Sequence, residues 1–247
     1  MNVLRRILIF TRLALTDYAR SGRILIELAA GIAFWGIFFQ NSAVLLSLQQ
    51  VFQLSGIFTI LLTLYTTSSM LSLGDRAQGY IMLTRPLGRR GYLLGLYSAA
   101  VLVVWLTYLV IVVLTTVVNR PVDFTLRDVL LGSLPTLLNV MLLAALMILL
   151  SSLVLKNVPR LLLLAVLAIA LYSNSWPQAR ANRLIATLQS AFSWLLVPAM
   201  KGYDLAQSRS YSGGGAAILV AQLAMTVLLL SVALSAFTRR DLILSSR

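Results

Sequence analysis

From Leu93 to Val118 the chain carries no charged side chain. That run is longer than the ~20 residues a helix needs to cross a bilayer. Val51–Leu73, Ser133–Leu155 and Ala216–Phe237 have the same apolar character. Over the whole chain 60% of residues are hydrophobic and only 11% are charged, against about 25% charged in a soluble domain. These runs dictate an all-α integral membrane protein, and one membrane domain accounts for the chain. The start, Met1 to Arg12, does not read as a cleaved signal, because Arg12 and Arg20 interrupt it and no small-residue cleavage site follows a clean apolar core.

Cysteine and histidine are absent. Disulfides, thiolate chemistry and soft-metal sites are thereby excluded, as is the commonest general base. The formal charge of +13 fits cytoplasmic edges held against anionic lipid, and no nucleic-acid partner is expected.

In chain order, residues 1–23 mix Leu4, Ile7, Leu8, Leu15 and Tyr18 with Arg5, Arg6, Arg12 and Arg20. This pattern predicts a helix lying in the membrane interface. Spans one and two fall within 24–73, the first at Ile24–Phe39 with Glu27 near its start, where Arg23 lies one turn away as a pairing partner. Thr59, Thr63 and Thr67 of the second span recur every four residues and share a face. That face either lines a path or subunit seam, or its hydroxyls bond back to their own helix carbonyls. Residues 74–92 form a basic loop with Asp75, Arg76, Gly79, Tyr80, Arg85, Pro86, Arg89 and Arg90. Spans three and four occupy 93–155. A short outer helix at Thr125–Leu131, with Thr125 as its cap and Asp128 three positions on, precedes the fourth span at Ser133–Leu155. A fifth, short span covers 160–176. Two short outer helices are expected within 178–214, separated by the break at Pro198, and the sixth span is 216–237.

Charge orients these spans. With the amino end inside, 14 of the 20 Lys and Arg residues fall on inner segments. The bias places both termini and the 74–92 loop in the cytoplasm, and the expected location is the cell inner (cytoplasmic) membrane. No GxxxxGK[ST] loop is present, so ATP is not bound that way. The seven acidic residues are scattered, and no acid, base and nucleophile converge. The chain therefore reads as a non-enzymatic membrane component.

The order of features resembles the permease subunits of the type-2 ABC exporter family over almost the full length. Asn2–Gly22 is similar to that family's interfacial elbow helix, and Leu73–Leu83 to its cytoplasmic coupling helix. Arg85, Pro86, Arg89, Tyr92, Leu94 and Gly95 resemble the segment before its third span, although Leu96 stands where a lysine is usual. Leu184–Leu205 resembles its short re-entrant outer helices, and Phe237–Leu242 its closing segment. The resemblance implies two permeases, identical or paralogous, and two ABC ATPase subunits that bind ATP and Mg²⁺, with no cofactor on this chain. It assigns ATPase coupling to Asp75, Arg76, Gly79, Tyr80, Arg85, Pro86 and Arg89. The translocation path or dimer seam falls to Thr59, Thr63, Tyr65, Thr66 and Asn174. A small-molecule, peptide or lipid-like substrate is implied, with membrane lipids around the spans. The competing readings are an ion-coupled or facilitative carrier acting without an ATPase, and a non-transporting membrane scaffold subunit.

Overall fold

A computed structural model describes residues 3–41, 46–74, 88–154 and 183–239. Those residues form seven helices: α1 (Val3–Arg20), α2 (Arg23–Phe38), α3 (Leu48–Gly74), α4 (Gly88–Val118), α5 (Leu126–Leu149), α6 (Arg183–Ser208) and α7 (Gly215–Arg239). The chain is a multi-pass, all-α membrane protein. Four of these helices, α3, α4, α5 and α7, are long and apolar enough to cross a bilayer, and α1 with α2 makes a fifth candidate as a bent pair. Their outward faces carry large apolar side chains, with Ile32 69% and Val117 77% exposed. Water would penalise such surfaces, and hydrocarbon does not. The fifth expected span, 160–176, lies outside the described residues.

The first expected span is shorter than a crossing. α2 has 16 residues, about 24 Å at 1.5 Å per residue, against a hydrocarbon core of about 30 Å. It meets α1 at 74°. The bend falls at Ser21 and Gly22, and Gly22 has φ +75°, a left-handed conformation that glycine adopts without strain. Val3–Arg20 is helical, as its pattern predicts, although Leu8 of that pattern is exposed. Phe10, Thr11, Ala14 and Tyr18 form its buried stripe, and Arg5, Arg12 and Arg20 are exposed.

The bundle is read from its cross-helix contacts. α2 and α4 run parallel, since Gly31 faces Thr107 and the Asn119 side chain donates to Phe39 O and Asn41 O at the far ends of both. α3 runs antiparallel to α2, placing Arg23 beside Ser69 and Ser72. α5 and α7 run parallel to each other and return towards the start of α4, where Arg89 donates to Thr238 O at 3.1 Å. α1 packs across that same end. Its Phe10 ring sits where a Cβ on Gly95 would lie, 2.2 Å from Cδ1, and stacks tilted on Tyr92 at 5.0 Å. One apolar core joins α1, α3, α4, α5 and α7, with Val104, Ala144, Ala145, Ile148 and Phe237 at its centre.

Two expectations for the chain after α4 change. Thr125 does cap a helix, its hydroxyl accepting from Asp128 N at 3.0 Å, but that helix does not stop at Leu131. It continues through Pro135 to Leu149, so the short outer helix and the fourth span are one element, which ends before Leu155. Likewise Arg183–Ser208 is a single helix with Pro198 inside it, where two short ones were expected. A proline removes one helical hydrogen bond but does not end a helix whose flanks are packed. Leu196 and Ala199, on either side of Pro198, both pack against the main core.

The chain's lack of cysteine permits single-cysteine mapping. Arg5→Cys and Arg90→Cys should react with an impermeant maleimide from one side of the membrane, and Val122→Cys and Ser212→Cys from the other. Gly95→Ala should destabilise the protein by about 1–3 kcal/mol in detergent melts. Phe10→Ala in the same chain should recover part of that loss, because it vacates the overlapping volume.

Candidate functional site

An apolar helix bundle can place a polar side chain in its interior only if that group finds a partner there. Glu27 is the sole acidic residue inside one of the apolar runs, and it is 1% exposed. Its Oε1 accepts a hydrogen bond from Tyr18 OH at 2.5 Å and another from Thr66 Oγ1. These donors come from α1 and α3, so one carboxyl oxygen of α2 ties three helices together. The second oxygen, Oε2, is buried with no hydrogen-bond partner among the described residues. Arg23 does not pair with Glu27 as the sequence suggested. It donates instead to Ser69 O and Ser72 Oγ, both at 2.6 Å, since its longer side chain reaches the open end of α3 and avoids the desolvation that joining Glu27 would impose.

The threonine face of α3 is inside the protomer. Thr59, Thr63, Thr66 and Thr67 are all buried. Thr59 Oγ1 donates to Ser55 O and Thr63 Oγ1 to Thr59 O, each at 2.6 Å, which is the back-bonding alternative. Thr66 instead serves Glu27. Tyr65 points outward, 38% exposed. Arg89 reaches the end of α7. Asp75, Arg76, Gly79, Tyr80, Arg85, Pro86 and Asn174 lie outside the described residues.

A second polar cluster joins α5, α6 and α7. Asn139 Nδ2 donates to Ala199 O at 3.0 Å and its Oδ1 accepts from Gln222 Nε2 at 2.6 Å. Gln222 Nε2 also lies 3.3 Å from Pro135 O. The approach is close enough that a Cβ on Gly202 would lie 1.9 Å from Gln222 Nε2. Just above it, Pro135 has no N–H to offer Leu131 O, four residues back. Tyr211 OH fills that vacancy at 2.6 Å, and burial raises the Tyr211 pKa, which keeps the phenol a donor.

A ladder of ring donors fastens α4 to α5. Tyr97 OH donates to Met141 O at 3.2 Å, Trp105 Nε1 to Leu137 O at 3.1 Å, and Tyr108 OH to Ser133 Oγ at 3.1 Å. Their spacing of eight and then three residues keeps all three on one face of α4. Among the described residues no three acidic side chains converge as a metal site requires.

Sequence reasoning missed both clusters. Glu27 had a visible signal, an acid within an apolar run, but it was paired with the nearest arginine. Asn139 and Gln222 are isolated polar residues within apolar runs, and nothing local in the sequence names either as the other's partner.

The Glu27 cluster makes a specific energetic prediction. Tyr18→Phe and Thr66→Val should each destabilise the protein by about 1 kcal/mol. Because both hydroxyls serve one oxygen, the double variant should depart from additivity by about 0.5 kcal/mol or more. Thermal unfolding of the four proteins in one detergent measures this. Additive losses would mean that the two bonds are independent.

No protein-family model, curated protein or solved structure matches this chain.

Proposed function

We propose that this chain is the permease subunit of an ATP-driven exporter of the type-2 ABC class. It forms the translocation path with a second copy of itself or a paralogue, and a separate pair of ATPase subunits performs the hydrolysis. The observation that supports this most is mechanical. α3 ends at Gly74 and α4 begins at Gly88, both at the end of the bundle across which α1 lies. The chain between them carries Asp75, Arg76, Gly79, Tyr80, Arg85 and Pro86. A partner pressing on that segment moves two long helices directly. It moves α1 through the Phe10 and Gly95 contact, and α7 through Arg89 and Thr238. A bundle with several rigid elements gathered at one end suits rigid-body rocking between two states. The exposure of Tyr65 on α3 supports its assignment to the seam with a partner permease.

One observation favours a second reading. A buried intramembrane carboxyl is a common coupling group in proton-driven carriers, and Glu27 is such a group. On that reading the chain works without nucleotide.

The two readings separate in proteoliposomes. The permease reconstituted with its ATPase should stimulate hydrolysis. A double charge reversal at Arg85 and Arg89 should lower that stimulation about tenfold by weakening docking. Transport by the purified chain driven by a pH gradient alone, with no association with an ATPase, would establish the carrier instead.

A further inference from the structure

Between α2 and α4 lies an apolar cleft of about 370 Å³, within the range of small-molecule sites. Leu28 and Leu106 line it and are 49% and 60% exposed, so it opens on the surrounding hydrocarbon. The polar atoms along its walls are turned away or closed over. Thr107 gives its hydroxyl to Val103 O at 3.1 Å and turns its methyl to Gly31. Glu27 Oε1 is spent on Tyr18 and Thr66, and Glu27 Oε2 and Trp35 Nε1 are buried out of reach. The cleft runs along α2 from Ile24 to Trp35, about 16 Å. That is close to half of a hydrocarbon core of about 30 Å, the depth of one leaflet. Its shape and surface suit a single acyl chain.

Helix α1 selects the head of that occupant. It meets α2 at the Ile24 end of the cleft, and its Leu15 lines the cleft there. Leu8, Arg12 and Leu15 follow at i, i+4 and i+7, so they share one side of α1. Leu8 is 61% exposed and Arg12 is exposed with it. That side is therefore an apolar strip with a guanidinium set into it, one leaflet's depth from Trp35. Asp17, the acid of α1, is five residues from Arg12 and off that side, and Glu27 is buried. Neither carboxylate answers the Arg12 charge. We propose that the cleft seats one acyl chain of an anionic phospholipid, with the lipid phosphate on Arg12 and the chain running past Gly31 to Trp35. A zwitterionic head brings the same phosphate beside its own ammonium, which competes with the arginine for it, so the net anionic head is held more tightly. This binding does not depend on the ATP-driven reading, since it concerns occupancy and not transport.

The test uses the full chain in phosphatidylcholine vesicles that contain a small share of one brominated lipid. The probes are phosphatidylglycerol and phosphatidylcholine, each carrying bromine on one acyl chain, where it quenches a neighbouring indole. The readout is the part of the tryptophan fluorescence that is absent from Trp35→Phe. Phosphatidylglycerol should quench it with a relative affinity about fivefold above that of phosphatidylcholine, and added salt should shrink the preference. Arg12→Gln should bring the ratio to about one. Arg90→Gln, which removes another exposed charge at the same end of the bundle, should leave it unchanged. Gly31→Leu, whose side chain fills the cleft from its wall, should also abolish the preference. Equal quenching by the two lipids in the unmodified protein would overturn the proposal, whether or not the variants fold. So would a preference that survives in Arg12→Gln, or one that Arg90→Gln removes equally. Protection of Trp35 from both lipids, the result for a cleft covered by a second copy of the chain, would overturn it too.

Discussion

Hydrocarbon offers no hydrogen bonds, so every polar atom that this bundle buries must be met within the protein or carry a cost. The packing follows from that constraint. α4 is held to α5 by the polar tips of Tyr97, Trp105 and Tyr108. α5 is held to α6 and α7 through Asn139 and Gln222, and α1, α2 and α3 meet at the Glu27 carboxyl. In water an apolar core would draw these helices together without such links. In lipid the apolar faces gain little from leaving the solvent, and close packing and polar bonds set the arrangement. The near-overlap of Phe10 with Gly95 and of Gln222 with Gly202 is the other half of that rule, since small residues let helices approach closely.

Much of this architecture was legible in the sequence because its signals are local. The apolar runs gave α3, α4 and α7 to within a few residues, and the mixed apolar and basic pattern gave the helix α1, although its buried stripe shares only Tyr18 with the apolar residues of that pattern. Thr125 and Asp128 announced the start of α5 correctly. A proline misled the reading in one place, at Pro198. Pro135 and Pro198 each lie inside a continuous helix, because a proline breaks a helix only when nothing packs its flanks or answers the carbonyl it frees. That answer comes from distant residues, and no local pattern records it.

The same limit applied to the site. The period of four in Thr59, Thr63 and Thr67 was real, and all three hydroxyls are buried. Whether a shared face points to a seam, a neighbour or its own backbone depends on which helix lies opposite. Glu27 shows the difficulty most plainly. Its nearest cation in sequence is Arg23, yet its partners lie nine residues before it and thirty-nine after it. Pairing by proximity along one helix is a sound guess at a surface, where both groups stay hydrated. Inside a bundle, desolvating an arginine costs more than borrowing two hydroxyls.

The vacancy left by Pro135 also bears on how the molecule is made. Leu131 O is answered by Tyr211, and the Asn139 side chain by groups on α6 and α7, all of which leave the ribosome long after α5. During synthesis α5 must therefore wait with an open carbonyl and an unsatisfied amide, shielded by the insertion machinery or wetted at the bilayer edge. Arrival of the carboxy-terminal hairpin closes both gaps at once. The last helices thus act as a latch that completes the insertion of the earlier ones.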